Sequence, residues 1–240
     1  MMRFPQRSVF YSLAIIITGL CLYANSWKGD FIWDDEAVVR DNVYLKSPAQ
    51  FKNLITQDVG AGSNVRYNFY RPLHMATFFV NYYLSGLNTS SYHITNTVFH
   101  IITALLFCWL IVVVTGSAGC GFLAGLLFIA HPANIEAVTY ISGRADILSA
   151  LFMLLSFILY IKQIEKRNIL LFVGMLSAYL AAFLSKENAI VFPLLLLLYH
   201  FSFSKKIRFK IFLPVLVLCV FMVGIRQMAI KQIFFNLFYS

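Results

Sequence analysis

Apolar residues along this chain come in long runs with short polar breaks, and only one break is long. The first run covers residues 9–25, behind Arg3 and Arg7. A polar-to-mixed segment, residues 26–91, follows. Six more runs then fill residues 92–225: Tyr92–Thr115, Cys120–Ala130, Ile147–Ile161, Ile169–Leu184, Ala189–Phe203 and Ile211–Ile225. Apolar stretches of this kind are read as membrane-crossing helices. The pattern therefore predicts an all-α polytopic membrane protein, with about seven transmembrane helices in a single domain over residues 1–240. Ala24-Asn25-Ser26 has the small-x-small character of a signal-peptide cleavage site, but the spans that follow favour an uncleaved first helix.

The long break has structure of its own. Ser47-Pro48 opens a predicted short helix reaching Ile55, and Gly60–Asn64 reads as a turn. Met75–Leu84 is apolar and aromatic but too short to span, so it is expected to lie along the membrane surface. Residues 226–240 are expected to form a tail on the same side as this break.

Composition agrees with the pattern. Hydrophobic residues make up 60% of the 240 and charged residues 12%, against roughly 45–50% and about 25% in a soluble domain. The net charge of +9 brings nucleic acid to mind until its placement is considered. With alternating spans, one side receives nine basic residues (Arg3, Arg7, Lys162, Lys166, Arg167, Lys205, Lys206, Arg208, Lys210) against the single acid Glu165, while the other receives ten against nine. Basic excess in short loops on one face is the positive-inside signature. It predicts a cytoplasmic N-terminus, an extracytoplasmic 26–91 segment, and no nucleic-acid partner. The four cysteines lie in or beside apolar runs with no CxxC pair, and so read as small hydrophobes.

Candidate chemistry gathers on the extracytoplasmic side. Gly29–Arg40 carries four carboxylates, Asp30, Asp34, Asp35 and Glu36. Carboxylates that close raise one another's pKa and suit proton transfer or cation binding. A divalent cation is thus the one cofactor they could hold. Arg71 with His74, His93 with His100, His131 with Glu136, Arg144 with Asp146, and Lys186 with Glu187 all fall at span ends on this face. Convergent ionisable groups at one membrane face point to a shared site. Asn96 shares a helix face with His93 and His100. These histidines are alternative metal ligands, but no further ligand sits at short spacing, and packing or hydrogen bonding is the favoured reading. Carboxylates beside cations at a membrane surface suit a reaction whose leaving group is a lipid phosphate: a carboxylate takes the proton of an attacking hydroxyl and a cation neutralises the departing charge.

Six motifs sharpen this. Phe31-Ile32-Trp33-Asp34-Asp35, Tyr70-Arg71-Pro72-Leu73, His93-Ile94-Thr95-Asn96 with His100, His131-Pro132-Ala133-Asn134-Ile135-Glu136-Ala137-Val138, Ser142-Gly143-Arg144-Ala145-Asp146-Ile147-Leu148 and Leu184-Ser185-Lys186-Glu187 occur in this order. Together the chain resembles the N-terminal membrane region of the tetratricopeptide-repeat transmembrane O-mannosyltransferases and their bacterial relatives, within the GT-C class of glycosyltransferases. The resemblance implies inverting transfer of a sugar, often mannose, from a polyprenyl or dolichyl phosphate to a Ser/Thr hydroxyl of a protein on the extracytoplasmic face. It implies Asp34 as base, with Asp35 tuning its pKa or helping to bind a cation. Arg144 and Lys186 are then the candidates for the lipid phosphate, and Glu136, Asp146 and Glu187 for fixing them or the sugar. Arg71, His93 and His131 complete the expected substrate-binding set. Asn134 stands where many relatives carry a second His. The family's catalytic unit has more spans than seven, so a truncated product or a need for a partner subunit is expected. A non-enzymatic membrane subunit and a lipid-linked-sugar transporter are the rival readings. The bacterial inner membrane and the endoplasmic reticulum both fit.

Overall fold

The computed structural model describes residues 6–203 and 206–238. Arg3 and Lys205, used in the charge count above, lie outside the described residues, as do Tyr239 and Ser240 of the expected tail. The described residues hold helices and no strand: α1 (Gln6–Tyr23), α2 (Phe51–Thr56), α3 (Pro72–Ser85), α4 (Thr89–Thr115), α5 (Ala118–Ala130), α6 (Ile135–Thr139), α7 (Arg144–Lys166), α8 (Ile169–Ser185), α9 (Phe192–Ser202) and α10 (Phe209–Phe238), with short 3-10 and π turns between them. The all-α membrane class is as expected.

The count of seven spans is not confirmed. Among the described residues, four helical stretches are long and apolar enough to cross a membrane, Ser8–Lys28, Thr89–Thr115, Ile141–Lys166 and Phe209–Ala229. A fifth is reached if α5 and the helical segment Pro132–Thr139 count as one span bent by 53°. The break has a local cause. Pro132 cannot continue the helix, and the His131 ring turns back so that Nδ1 accepts from the Ala133 N–H at 3.2 Å. At 17 residues, α8 reaches about 25 Å at 1.5 Å per residue, short of a hydrocarbon core of about 30 Å. α9 has only 11 residues. α10 does not stop at Ile225 but runs unbroken to Phe238, so the expected tail continues the last helix.

Helix boundaries follow capping chemistry. The Asn88 side chain accepts from Ser90 N–H at the start of α4, which ends at Gly116 with φ +73. Ser117 caps α5 and Asn168 caps α8 in the same way. Side chains then sort the helices into a bundle. Ile15, Ile101, Ala104 and Ile129 join α1, α4 and α5. Leu110, Ile158 and Ile161 join α4 to α7. Tyr160, Met175, Tyr179, Phe192, Leu196 and Val215 join α7 to α10. Gly121 and Gly125 let α5 lie against α4: a Cβ on Gly121 would stand 2.7 Å from the Cys108 carbonyl oxygen, and one on Gly125 would stand 3.0 Å from Cys108 Cβ. This is the small-residue contact that membrane helices use for close approach.

Residues 26–91 form a folded cap on one end of the bundle. Its core is Val38, Val39, Leu45, Leu54, Val59, Met75 and Phe78, seated on Tyr92 of α4 and Ile141 before α7. Buried Asp58 shapes the cap's tightest turn, accepting N–H bonds from Gly60, Tyr67 and Phe69. α3 buries His74, Met75, Phe78 and Asn81 and leaves Val80, Tyr83 and Leu84 exposed, the amphipathic division expected of a surface helix.

The seat of the cap is a buried arginine. Arg144 is wholly enclosed. Its Nε donates to Asn96 Oδ1 at 2.7 Å, Nη2 to the Tyr92 carbonyl at 3.2 Å and Nη1 to Thr77 Oγ1 at 3.4 Å. The guanidinium lies over the Phe78 ring, 4.4 Å from its centroid. Asn96 in turn donates through Nδ2 to the carbonyls of Tyr140 and Ile141, both at 3.1 Å. Substituting Asn96→Ala should therefore destabilise the protein by about 3 kcal/mol or more, since it strands a buried cation and two carbonyls. Thermal unfolding in detergent, followed by loss of the monodisperse peak, checks this. A melting point equal to wild type would show that the Arg144 seat is dispensable.

Candidate functional site

The four carboxylates of the acidic stretch do not act together in the structure. Asp30 is exposed. Glu36 accepts from Arg40 Nη1 at 2.7 Å, an exposed pair of little energetic weight. Asp35 turns inward and is fully buried. Its Oδ1 accepts from Ser142 N–H at 2.8 Å and Ser142 Oγ at 2.6 Å, and its Oδ2 from Ile32 N–H at 3.4 Å. Burial pushes the Asp35 carboxyl above its ordinary range, and the bonds from Ser142 pull it back. Asp35 is thus the clasp that fastens the cap to the Ser142-Gly143-Arg144 turn. Gly143 is needed there because a Cβ would meet Ala137 backbone atoms at 2.6, 2.9 and 3.0 Å.

Asp34 remains half-exposed. The phenols of Tyr67 from the cap and Tyr140 from the turn before α7 both stand near enough to feel the charge of its carboxylate. Burial, followed by the charges of Asp34 and its neighbours, pushes the Tyr67 phenol up to about 12. Burial and the charges of Asp35 and Asp34 likewise raise Tyr140. Both phenols therefore keep their protons at neutral pH. The preceding residue, Trp33, holds a left-handed backbone (φ 50) with its ring 77% exposed.

At the same end of the bundle lies a cationic group. Arg71 donates to Glu187 through Nε at 3.1 Å and Nη2 at 2.8 Å, and Arg226 of α10 also reaches that carboxylate, at 2.9 Å from Oε2. Burial alone would raise Glu187, but the Arg71 bonds and the Arg226 charge prevail and lower it to about 2. Lys186 Nζ touches both oxygens of Asp146 at 2.6 Å. His74, enclosed between the two regions, has no hydrogen-bond partner on either nitrogen. Burial, aided by the charges of Arg71, Arg144 and Lys186, holds it well below its ordinary value, so it is neutral.

The expected residues thus separate. Asp34, Arg71, Asp146, Lys186 and Glu187 stand at the cap end with at least partial exposure. Arg144 corrects the expectation of a phosphate ligand, because its guanidinium is enclosed and engaged by protein groups. His93 is buried under Gly29, and a Cβ there would come within 3.0 Å of its Nε2. His131 and Glu136 are exposed at the α5–α6 bend, and among the described residues no hydrogen bond or ion pair ties their side chains to the Asp34 or Glu187 groups. Also among the described residues, no three His, Cys, Asp or Glu side chains converge to hold a metal ion. Sequence reading missed Tyr67, Tyr140, Ser142 and Arg226. Only Ser142, inside a quoted motif, carried a local signal.

Fold and site together define a polytopic helical membrane protein with a capped end, where a carboxylate and a set of cations stand at the membrane boundary. Its relatives share a name. The chain is 35% identical over 156 residues to Protein O-mannosyl-transferase TMTC2 of Homo sapiens, covering 62% of this chain and 18% of that one. It is 30% identical over 235 residues to Protein O-mannosyl-transferase Tmtc3 of Drosophila melanogaster, covering 85% and 25%. To human Protein O-mannosyl-transferase TMTC1 it is 32% identical over 210 residues, covering 80% and 24%. The chain is a homologue of these protein O-mannosyl-transferases, and it spans about a fifth to a quarter of their length. No family model matches it, and no solved structure does.

Two outcomes test the site's construction. Asp35→Ala should speed tryptic cleavage at Arg40 and Lys46 by freeing the clasp. Asp35→Asn, which keeps an acceptor oxygen for Ser142, should leave the rate near wild type. Glu187, lowered from 4.5 to about 2, adds stability that is complete above the unfolded value near 4.5 and disappears as pH falls toward 2. Melting points measured across that window should fall with pH in wild type, and Glu187→Gln should flatten this dependence while lowering the melting point at pH 7.

Proposed function

We propose that this chain transfers a sugar, mannose in the first instance, from a polyprenyl-phosphate donor to a hydroxyl of a protein acceptor. Asp34 is the general base. It is half-exposed, flanked by two phenols that feel its charge, and attached to a loop that the Asp35 clasp ties down. The acceptor hydroxyl gives its proton to Asp34 as its oxygen attacks the anomeric carbon. The bond from that carbon to the phosphate oxygen breaks, and the configuration inverts. Negative charge then grows on the departing lipid phosphate, where Lys186, Arg71 and Arg226 supply compensation. In this reading Arg144 acts at one remove, holding the seat on which both halves rest.

The single observation carrying the proposal is that Asp34 and the Arg71–Glu187–Arg226 group share the cap end of a chain homologous to proteins named O-mannosyl-transferases. The basic loops at the opposite end support a cytoplasmic N-terminus and an extracytoplasmic cap. The chain spans a quarter at most of the relatives compared. In a second reading it binds donor and acceptor while a partner subunit completes the machinery.

Asp34→Asn should lower mannose transfer to a Ser/Thr-rich peptide by about 10²- to 10⁴-fold with insertion and melting point unchanged. The check is transfer from polyprenyl-phosphate-mannose by the purified chain in lipid nanodiscs. Full activity in this variant would remove Asp34 from the mechanism. Donor binding without transfer by wild type would favour the second reading.

A further inference from the structure

The cap end has two chemically different groups. One is the cations Arg71, Lys186 and Arg226. The other is Asp34 with Tyr67 and Tyr140, and next to it in sequence the Trp33 indole, among the most exposed large apolar side chains of the described residues. Trp33 sits in the left-handed backbone region, which a bulky residue rarely enters and which persists only where surrounding structure enforces it. Here the enforcement is visible. The Asp35 side chain accepts from Ile32 N–H and from Ser142, fixing the loop on both sides of Trp33. The Asp35 and Glu36 N–H groups donate to the Ile32 and Trp33 carbonyls at 3.0 and 3.2 Å. The indole is not folded back into the cap core. Instead it meets the Tyr140 ring edge to face, with centroids 6.0 Å apart and planes at 68°. Tyr140 therefore touches the indole with its ring and lies within reach of the Asp34 charge.

We infer that Trp33 and Tyr140 form an aromatic ledge that binds the acceptor polypeptide and brings its hydroxyl residue to Asp34. This rests on the transferase reading above and names the acceptor side of that site. The acceptor hydroxyl must lie against the base, and the ledge is the exposed apolar surface adjoining it. The cations suit the phosphate. Rigid aromatic side chains offer large contact area at low entropic cost, and tryptophan and tyrosine dominate the energetics of peptide contacts. Trp33 lies past Lys28, where the first candidate span ends, so the competing role for its ring is an anchor in the lipid headgroups.

The test uses the full chain in lipid nanodiscs and a fluorescein-labelled Ser/Thr-rich peptide, with binding read by anisotropy and mannose transfer followed in parallel. Trp33→Leu keeps apolar character but loses the aromatic face. It should weaken peptide binding about tenfold or more and raise the acceptor KM equally, leaving the donor KM unchanged, as expected for loss of an anchor residue. Trp33→Phe should stay within about threefold of wild type, and Asp34→Asn should bind peptide normally while losing transfer. Trp33-dependent binding without any transfer would uphold the ledge and defeat the transferase reading. Peptide binding unchanged in Trp33→Leu, or absent in wild type, would overturn the ledge. So would an emission difference between wild type and Trp33→Phe that brominated lipid quenches and peptide leaves unmoved, which would make the ring a lipid anchor.

Discussion

A guanidinium inside a helical bundle is the constraint on which this architecture depends. Arg144 begins α7, whose span is the most buried of the four candidate spans, and brings a full charge with it, without a carboxylate partner in hydrogen-bond contact among the described residues. Leaving such a charge uncompensated costs about 3–5 kcal/mol, comparable with a large part of a domain's net stability of about 5–15 kcal/mol. The structure compensates with neutral dipoles and ring faces instead: the Asn96 amide, the Tyr92 carbonyl, the Thr77 hydroxyl and the Phe78 ring. Those groups come from α3 and α4. Satisfying one side chain therefore fixes where the surface helix sits, how the turn before α7 runs, and where Ser142 presents itself to Asp35.

That dependence gives adjacent acidic residues opposite tasks. Asp35 is spent on holding the cap, its oxygens facing protein donors. Asp34, one residue earlier, projects to the boundary because the backbone at Trp33 reverses handedness. A regular helix or strand through this point would not separate the two so sharply. The same logic divides the cations. Arg144 is buried and structural, while Arg71 and Arg226 share one carboxylate and Lys186 leans on another.

Much of this was legible in the sequence, for reasons of scale. Membrane helices announce themselves through runs of apolar residues, and the cap helices through Pro48, Pro72 and the polar interval around them. The count of seven spans is not confirmed where run length and helix length diverge: His131-Pro132 bends one apolar stretch, and the runs at α8 and α9 form helices too short by length alone. Asp34 and Glu187 could be picked out because ionisable residues near span ends are rare in so apolar a chain. Their partners could not. Tyr67 and Tyr140 are two among 13 tyrosines, and nothing local says that both come near one carboxylate. Arg226 sits 39 positions beyond the glutamate it pairs with, and its meaning exists only in three dimensions. Arg144 misled for the opposite reason: a motif marks a position as important without saying whether it faces a ligand or the interior.

The Glu187 bridge also carries a statement about order in time. Arg71, Glu187 and Arg226 leave the ribosome in that sequence, separated by the synthesis of seven helices and part of an eighth. When Glu187 reaches the membrane boundary, Arg71 is already waiting in the cap and can clasp it. The second arginine arrives only as α10 threads into place. Until then Arg71 alone holds the carboxylate, and the bundle has a half-tied knot at the place where its charges converge. Vectorial synthesis thus sets the sequence in which this end closes, and α10 is the helix that draws it tight.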